Sequence, residues 1–256
     1  MNGLRVNCYL AGFFCILLSS CAQKLPLISH AHIGHAVTTW GDTPDQRGLF
    51  VVAQETADEA LLQAELAWLA QDSPDAARQH MHNVVRALHP DLLSFDEKTD
   101  RDYGVIRALE GAMDHIEFAA TSDDASLNFV STAAGLVDQG SIIADDFKVS
   151  ADMAHAALNS EPAEMADISF ALSERLRFAV FGRDVDGDGI IGSAENETGL
   201  LQLNEQLNTM LKNERDPEYQ PLPRKYVLGL IKLDNGEWAF DIKKSKKTAS
   251  WSKYGY

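Results

Sequence analysis

Apolar residues recur at three- and four-residue intervals through most of residues 50–213, the period of helices with one buried face. Over 50–71 the stripe is Ala57, Leu61, Ala64 and Trp68, rich in alanine and suited to a closely approaching neighbour. Ser73-Pro74 places a capping residue before a proline in the first turn. The helix it opens carries Ala77, Met81, Val84, Val85 and Leu88 on one face and stops at Pro90. After a polar loop from Ser94 to Tyr103, the residues Val105, Leu109, Ala112, Ile116 and Ala119 mark a third helix. A fourth is expected from Ala125 to Val137, and Gly140-Ser141 is expected to separate it from a fifth ending near Leu158. Glu161-Pro162 opens a sixth. Helical sequence then runs from Ile168 to Phe181 and again from Ala194 to Asn213. Short loops between amphipathic helices favour antiparallel packing, and no internal repeat is present.

The pattern changes at both ends. Residues 22–48 read as an irregular leader, interrupted by Gly34, Gly41, Pro44 and Gly48. Near the C-terminus, Tyr226 to Leu233 and Trp238 to Ile242 are β-rich and flank Asp234-Asn235-Gly236-Glu237. Asn-Gly is a strong two-residue hairpin signal. That turn sets Leu233 opposite Trp238 and Ile231 opposite Phe240. A lone hairpin is barely stable in water, so it is expected to pack on the helices.

One loop carries specific chemistry. Asp184-Val185-Asp186-Gly187-Asp188-Gly189-Ile190-Ile191-Gly192-Ser193-Ala194-Glu195 has carboxylates at its first, third and fifth positions, glycine at the sixth and glutamate at the twelfth. It resembles the calcium loop of the EF-hand family. The resemblance implies a helix–loop–helix with Asp184, Asp186 and Asp188, the Ile190 carbonyl and a bidentate Glu195 around Ca2+. Ile191 takes the apolar eighth position, expected to face inward, and a water serves at Gly192. Four carboxylates in one loop repel one another, so cation binding is coupled to ordering the loop. An acidic surface turn is the bland alternative. No second loop pairs with it, and Asp96 to Gly104 lacks the spacing. The ion is therefore expected to serve as a staple within the bundle, at a symmetric dimer contact, or as a sensor. Sites in exported proteins bind at about 10⁻⁴–10⁻³ M, which favours a permanently filled staple.

The N-terminus bears on location. Arg5 precedes an apolar run from Leu10 to Leu18, too short for a comfortable membrane span. Leu18-Ser19-Ser20-Cys21 resembles a bacterial lipobox. That resemblance implies a signal peptide over 1–20, acylation of Cys21, and export to the cell envelope. Without an aspartate after the cysteine (Ala22 stands there) it implies an outer-membrane lipoprotein facing the periplasm. An uncut signal anchor, or an ordinary signal peptide with a chance cysteine, is the alternative. Cys8 and Cys15 fall inside the signal, leaving the mature chain without a free thiol or disulfide.

The net charge is −16, unevenly spread. Residues 1–223 hold 14 basic and 35 acidic side chains, a balance of −21, while 224–256 hold 8 basic and 3 acidic, a balance of +5. The acidic body argues against nucleic acid as a partner. The basic tail, with Lys243, Lys244, Lys246, Lys247 and Lys253, either meets an acidic surface or is simply solvated.

Five histidines define a second hypothesis. His32 and His35 lie in the tract Ser29 to His35, His82 and His89 lie on one side of one helix, and His115 lies at the border of the third helix. Such residues on several helices can build a haem or a Zn or Cu site, although border histidines are most often hydrogen-bonded surface groups. Covalent haem is excluded, since no Cys-X-X-Cys-His occurs. A di-iron centre lacks its two Glu-X-X-His repeats, with Asp152-X-X-His155 as the only relative. Walker, Gly-X-Gly-X-X-Gly and Gly-X-Ser-X-Gly motifs are absent, and no catalytic residues are assigned.

The expected architecture is mainly α: a helical bundle over 50–165, an EF-hand helix–loop–helix over 166–214 and a small β-hairpin over 224–243. A His-containing leader over 21–49 precedes these and a basic tail over 244–256 follows. The expected role is calcium binding with binding or scaffolding at the envelope, through the lipid-anchored membrane contact and an envelope protein or homodimer partner. A haem- or transition-metal-binding bundle is the alternative.

Overall fold

Proline or glycine stands where most of the described helices begin, at Gly48, Pro74, Gly104, Pro162 and Gly199, and Pro90 and Gly182 follow two of the helix ends. The computed structural model describes residues 27–214, without 98, 100, 101, 193 and 195, and the segments 225–227, 230–232 and 238–240. The expected signal peptide over 1–20, Cys21 and the expected basic tail over 244–256 lie outside the described residues. Among the described residues there are seven α-helices: α1 Ile28–Val37, α2 Leu49–Leu69, α3 Pro74–Leu88, α4 Val105–Thr121, α5 Leu127–Ala157, α6 Pro162–Phe181 and α7 Leu200–Asn213. The chain is mainly helical, as its periodicity predicts. None of these helices is long and apolar enough to cross a membrane.

α2 and α5 organise the bundle. α2 packs against α3, α4 and α6; α5 packs against α3, α4, α6 and α7; α1 lies on α4. One apolar core draws on all seven helices. Phe50, Phe129 and Phe147 are among its largest fully buried side chains. Ala57, Ala60, Ala64 and Ala67 of α2, and Ala144, Ala151, Ala154 and Ala157 of α5, are buried small residues that let helix backbones approach. Trp68 is not core. It is 38% exposed and its ring meets Phe170 at a centroid separation of 5.4 Å. α6 packs against both α2 and α5, so it belongs to the bundle as fully as the helices before it.

Three helix boundaries depart from the sequence expectation. The leader is not irregular throughout, because Ile28–Val37 is a helix that includes Gly34. Tertiary contacts outweigh the cost of that glycine, about 1 kcal/mol. Ser29, Ile33, Ala36 and Val37 are buried. The Asp124 carboxylate accepts the backbone N–H groups of Ile28 and Ser29, the latter at 2.9 Å. A cap from 95 positions away leaves no local signal. Asp124→Ala is expected to cost about 1 kcal/mol, as loss of a capping side chain does, read as a lower midpoint in thermal unfolding.

Gly140-Ser141 does not break the chain either, since α5 runs unbroken for 31 residues. A side chain at Gly140 would overlap the Met113 thioether of α4. That glycine serves close packing of α4 on α5, which replaces the expected two helices with one. The third departure is the start of α7 at Leu200 rather than Ala194, with Gly199 as its N-cap residue.

Beyond residue 214 the structure describes three short strands, β1 Lys225–Val227, β2 Leu230–Lys232 and β3 Trp238–Phe240, paired antiparallel in that order. Lys232 pairs with Trp238 and Ile231 with Ala239. This register differs by one residue from the expected pairing of Leu233 with Trp238. A two-residue turn at Asn235-Gly236 sets the latter; the recorded pairing leaves five residues, 233–237, between the strands, and these lie outside the described residues.

Candidate metal sites

The acidic loop is held shut at its base. α6 ends at Phe181, and Gly182, with φ 74°, donates its N–H to the Phe178 carbonyl at 2.8 Å. Arg183 N–H donates to the Glu197 carbonyl at 3.0 Å. Gly182 and Gly199 touch backbone to backbone: a Cβ built on Gly199 would stand 2.2 Å from the Gly182 nitrogen. The Ile191 side chain lies over Gly182 and remains 42% exposed, so this apolar position covers the base only in part.

Within the loop, each aspartate is oriented by backbone amides. Asp184 accepts N–H groups from Gly187 at 2.7 Å and Gly189 at 2.9 Å. Asp186 accepts from Asp188 at 3.0 Å, and Asp188 accepts from Ile190 at 2.7 Å. One carboxylate oxygen from each of the three aspartates lies within 4.8 Å of the others, and all three residues are exposed. Three hard oxygens so close together, on a loop with turn-forming glycines, fit the donor set of a calcium ion. Ile190 contributes its N–H to the turn and leaves its side chain exposed.

The closing glutamate is where the structure adds most. Glu195 lies outside the described residues. The outgoing helix begins at Leu200. Glu197 is fully buried, and its carboxylate accepts four loop amides. Oε1 takes Val185 at 2.8 Å and Asp186 at 3.3 Å; Oε2 takes Gly192 and Ala194, each at 3.0 Å. These amides, that of Ala194 foremost and then Val185, hold its pKa down at about 2 against the opposing effect of burial. Asn196 between the two glutamates has φ 65°, a left-handed turn that asparagine tolerates. Helical periodicity extended back from α7 hides Glu197. The available signal was Gly199, which ends that periodicity.

Of the five candidate histidines, the structure brings three together. His32 and His35 are one turn apart on α1, and His115 projects from α4. The Nδ1 atoms of His32 and His115 are 3.0 Å apart. Ring centroids lie 4.9 Å apart for His35 and His115, and 6.0 Å apart for His32 and His35. The Trp40 ring packs on His35 at 4.7 Å and on His115 at 4.8 Å. Burial, then the neighbouring His32, pushes the His115 pKa down, against the pull of Asp114. A cleft of about 480 Å³ reaches His115 and is also lined by Trp40, His89, Asp91, Tyr103 and Asp114.

The other two histidines stand apart from this cluster. His89 lines the cleft just after α3. His82 Nε2 instead meets Glu97 Oε1 at 3.0 Å. That carboxylate is held down at about 2 by the Ser94 hydroxyl first, then the Ser94 amide and His82. The five-histidine centre therefore reduces to three. Ring-to-ring contact between His32 and His115 leaves no slot between them for a haem plane. Asp152 and His155 are both exposed on α5.

The chain matches no family model, no curated protein and no solved structure.

Proposed function

We propose that this is an exported, lipid-anchored envelope protein that uses the 184–197 loop to hold Ca2+ as a staple for a binding or scaffolding surface. The observation that carries the reading is the convergence of the Asp184, Asp186 and Asp188 carboxylates on a loop whose two ends are clamped together. The helices on either side, α6 and α7, both enter the core. An ion in the loop would thus fix the angle between two bundle elements. Asp184, Asp186, Asp188, the Ile190 carbonyl and Glu195 supply the oxygens in an EF-hand-like arrangement, with Glu197 ordering the loop from beneath. Cys21 supplies the lipid attachment at the membrane.

The test is calcium-dependent stability. At a calcium concentration about 100-fold above Kd, wild type gains about 2.7 kcal/mol, a rise of roughly 5–10 °C in Tm for a domain of this size. Glu195→Gln is expected to lose most of that rise while keeping the calcium-free Tm. Equal melting of the two proteins in calcium overturns the staple. In cells, Cys21→Ser is expected to move the protein from the membrane fraction to the soluble envelope fraction.

A further inference from the structure

We propose that His32, His35 and His115 form a second metal site, a three-imidazole centre for Zn2+ or Cu2+ beside the cleft along α4. This site is independent of the calcium reading. It draws on α1 and α4 instead of α6 and α7, and on nitrogen donors instead of oxygen donors.

Geometry supports it first. Each of the three rings offers a nitrogen within 4.8 Å of the other two, and the His32–His115 nitrogen pair is at 3.0 Å. At Zn–N bonds of 2.0–2.1 Å, tetrahedral ligands stand about 3.3 Å apart. The cluster is thus close to a coordination sphere, and small side-chain rotations would complete it. The two helices that carry it are fixed by burial. Ile33 and Ala36 of α1 and Ala112 and Ile116 of α4 are all in the core, and Asp124 caps the first turn of α1. Trp40 and Phe118 close over the rings, with Phe118 5.4 Å from His32, giving an apolar wall that holds ring orientation.

Chemistry supports it second. Neutral imidazoles are the usual ligands of Zn2+ and Cu2+ and poor ligands of Ca2+ or Mg2+. Three protein nitrogens leave a fourth position for water or a small anion, the composition of open zinc sites. The cleft gives solvent a path to His115. A hydrogen-bonded histidine cluster with no metal is the competing account, and it makes the opposite prediction below.

The experiment uses the full mature chain, stripped with chelator and titrated calorimetrically with Zn2+ and with Cu2+ in millimolar calcium. The expected result is one ion per chain with Kd of about 1 µM or tighter. Cu2+ should quench Trp40 emission, since that ring touches two of the ligands. His32→Gln and His115→Gln should each weaken binding by more than the roughly 10–100-fold that loss of an outer-shell partner costs, with helical circular dichroism retained. Asp184→Asn should leave Zn2+ affinity unchanged, which separates this site from the acidic loop. Should His115→Gln fail to fold, the half-exposed His32→Gln and the Cu2+ spectrum of wild type decide the matter: nitrogen hyperfine structure from several imidazoles supports the site. Binding weaker than about 100 µM overturns it, as does tight binding that survives in the His32→Gln, His35→Gln double variant.

Discussion

Gly199→Val is expected to destabilise the protein by about 3 kcal/mol or more, lowering Tm by roughly 10 °C. The cause is contact, not torsion. Gly199 has φ −104°, ψ −176°, a conformation open to any residue. A Cβ there would lie 2.2 Å from the Gly182 nitrogen, 2.9 Å from the Val180 carbonyl oxygen and 3.0 Å from the Gly182 Cα. All three are backbone atoms at the end of α6, so no side-chain rotation relieves the overlap. The chain must part the loop base, breaking the Arg183 to Glu197 hydrogen bond and loosening Leu200 and Leu203, both buried. Gly135 is the control. It sits in α5, exposed, with no atom within 4 Å of a built Cβ. Gly135→Ala should raise stability by about 0.5–1 kcal/mol, since alanine is the better helix former. Urea unfolding of the three proteins checks both signs, and a neutral Gly199→Val refutes the clamped base.

The contrast between those two glycines also explains which elements were legible in the sequence. α3 was readable to the residue, because Ser73-Pro74 opens it, Pro90 closes it, and Met81, Val84, Val85 and Leu88 state its buried face. α4 was readable from its stripe alone, since Val105, Leu109, Ala112, Ile116 and Ala119 are all buried. α1 was not, because ten residues with a weak stripe and an internal glycine become helical only once α4 covers them and Asp124 caps them. Gly140 and Gly199 look identical as letters, yet one lies inside a continuous helix against Met113 and the other ends the acidic loop. The loop itself was legible in its aspartates, since their spacing is local. The three histidines were named from the sequence along with His82 and His89, but their grouping was not legible, because His115 is 80 positions or more from its partners and meets them only through the packing of α1 on α4. Local chemistry is written in local spacing; shared chemistry is written in helix packing.

Glu197→Gln is expected to damage the acidic loop more than Glu195→Gln does, and in a different way. Glu197 is buried and its two oxygens accept four backbone amides that span both ends of the loop. Glutamine keeps one accepting oxygen and replaces the other with an NH2 facing two amide donors, either Val185 and Asp186 or Gly192 and Ala194. Buried donor groups set against each other are costly. Calcium affinity should fall about 10–100-fold, the usual consequence of removing a group that positions ligands without touching the metal. Unlike Glu195→Gln, the loss should persist without calcium as a lower Tm, because the carboxylate orders the loop whether or not an ion is present. The pH dependence has a fixed sign. With a folded pKa of about 2 against an ordinary carboxylate value of 4.5, the unfolded chain binds the proton first. The stabilisation is therefore complete above the ordinary value and is lost as pH falls toward 2. In chelator, wild type should lose stability across that range, and Glu197→Gln should lack this part of the slope. Parallel acid profiles for the two proteins would show that the buried carboxylate does not hold the loop.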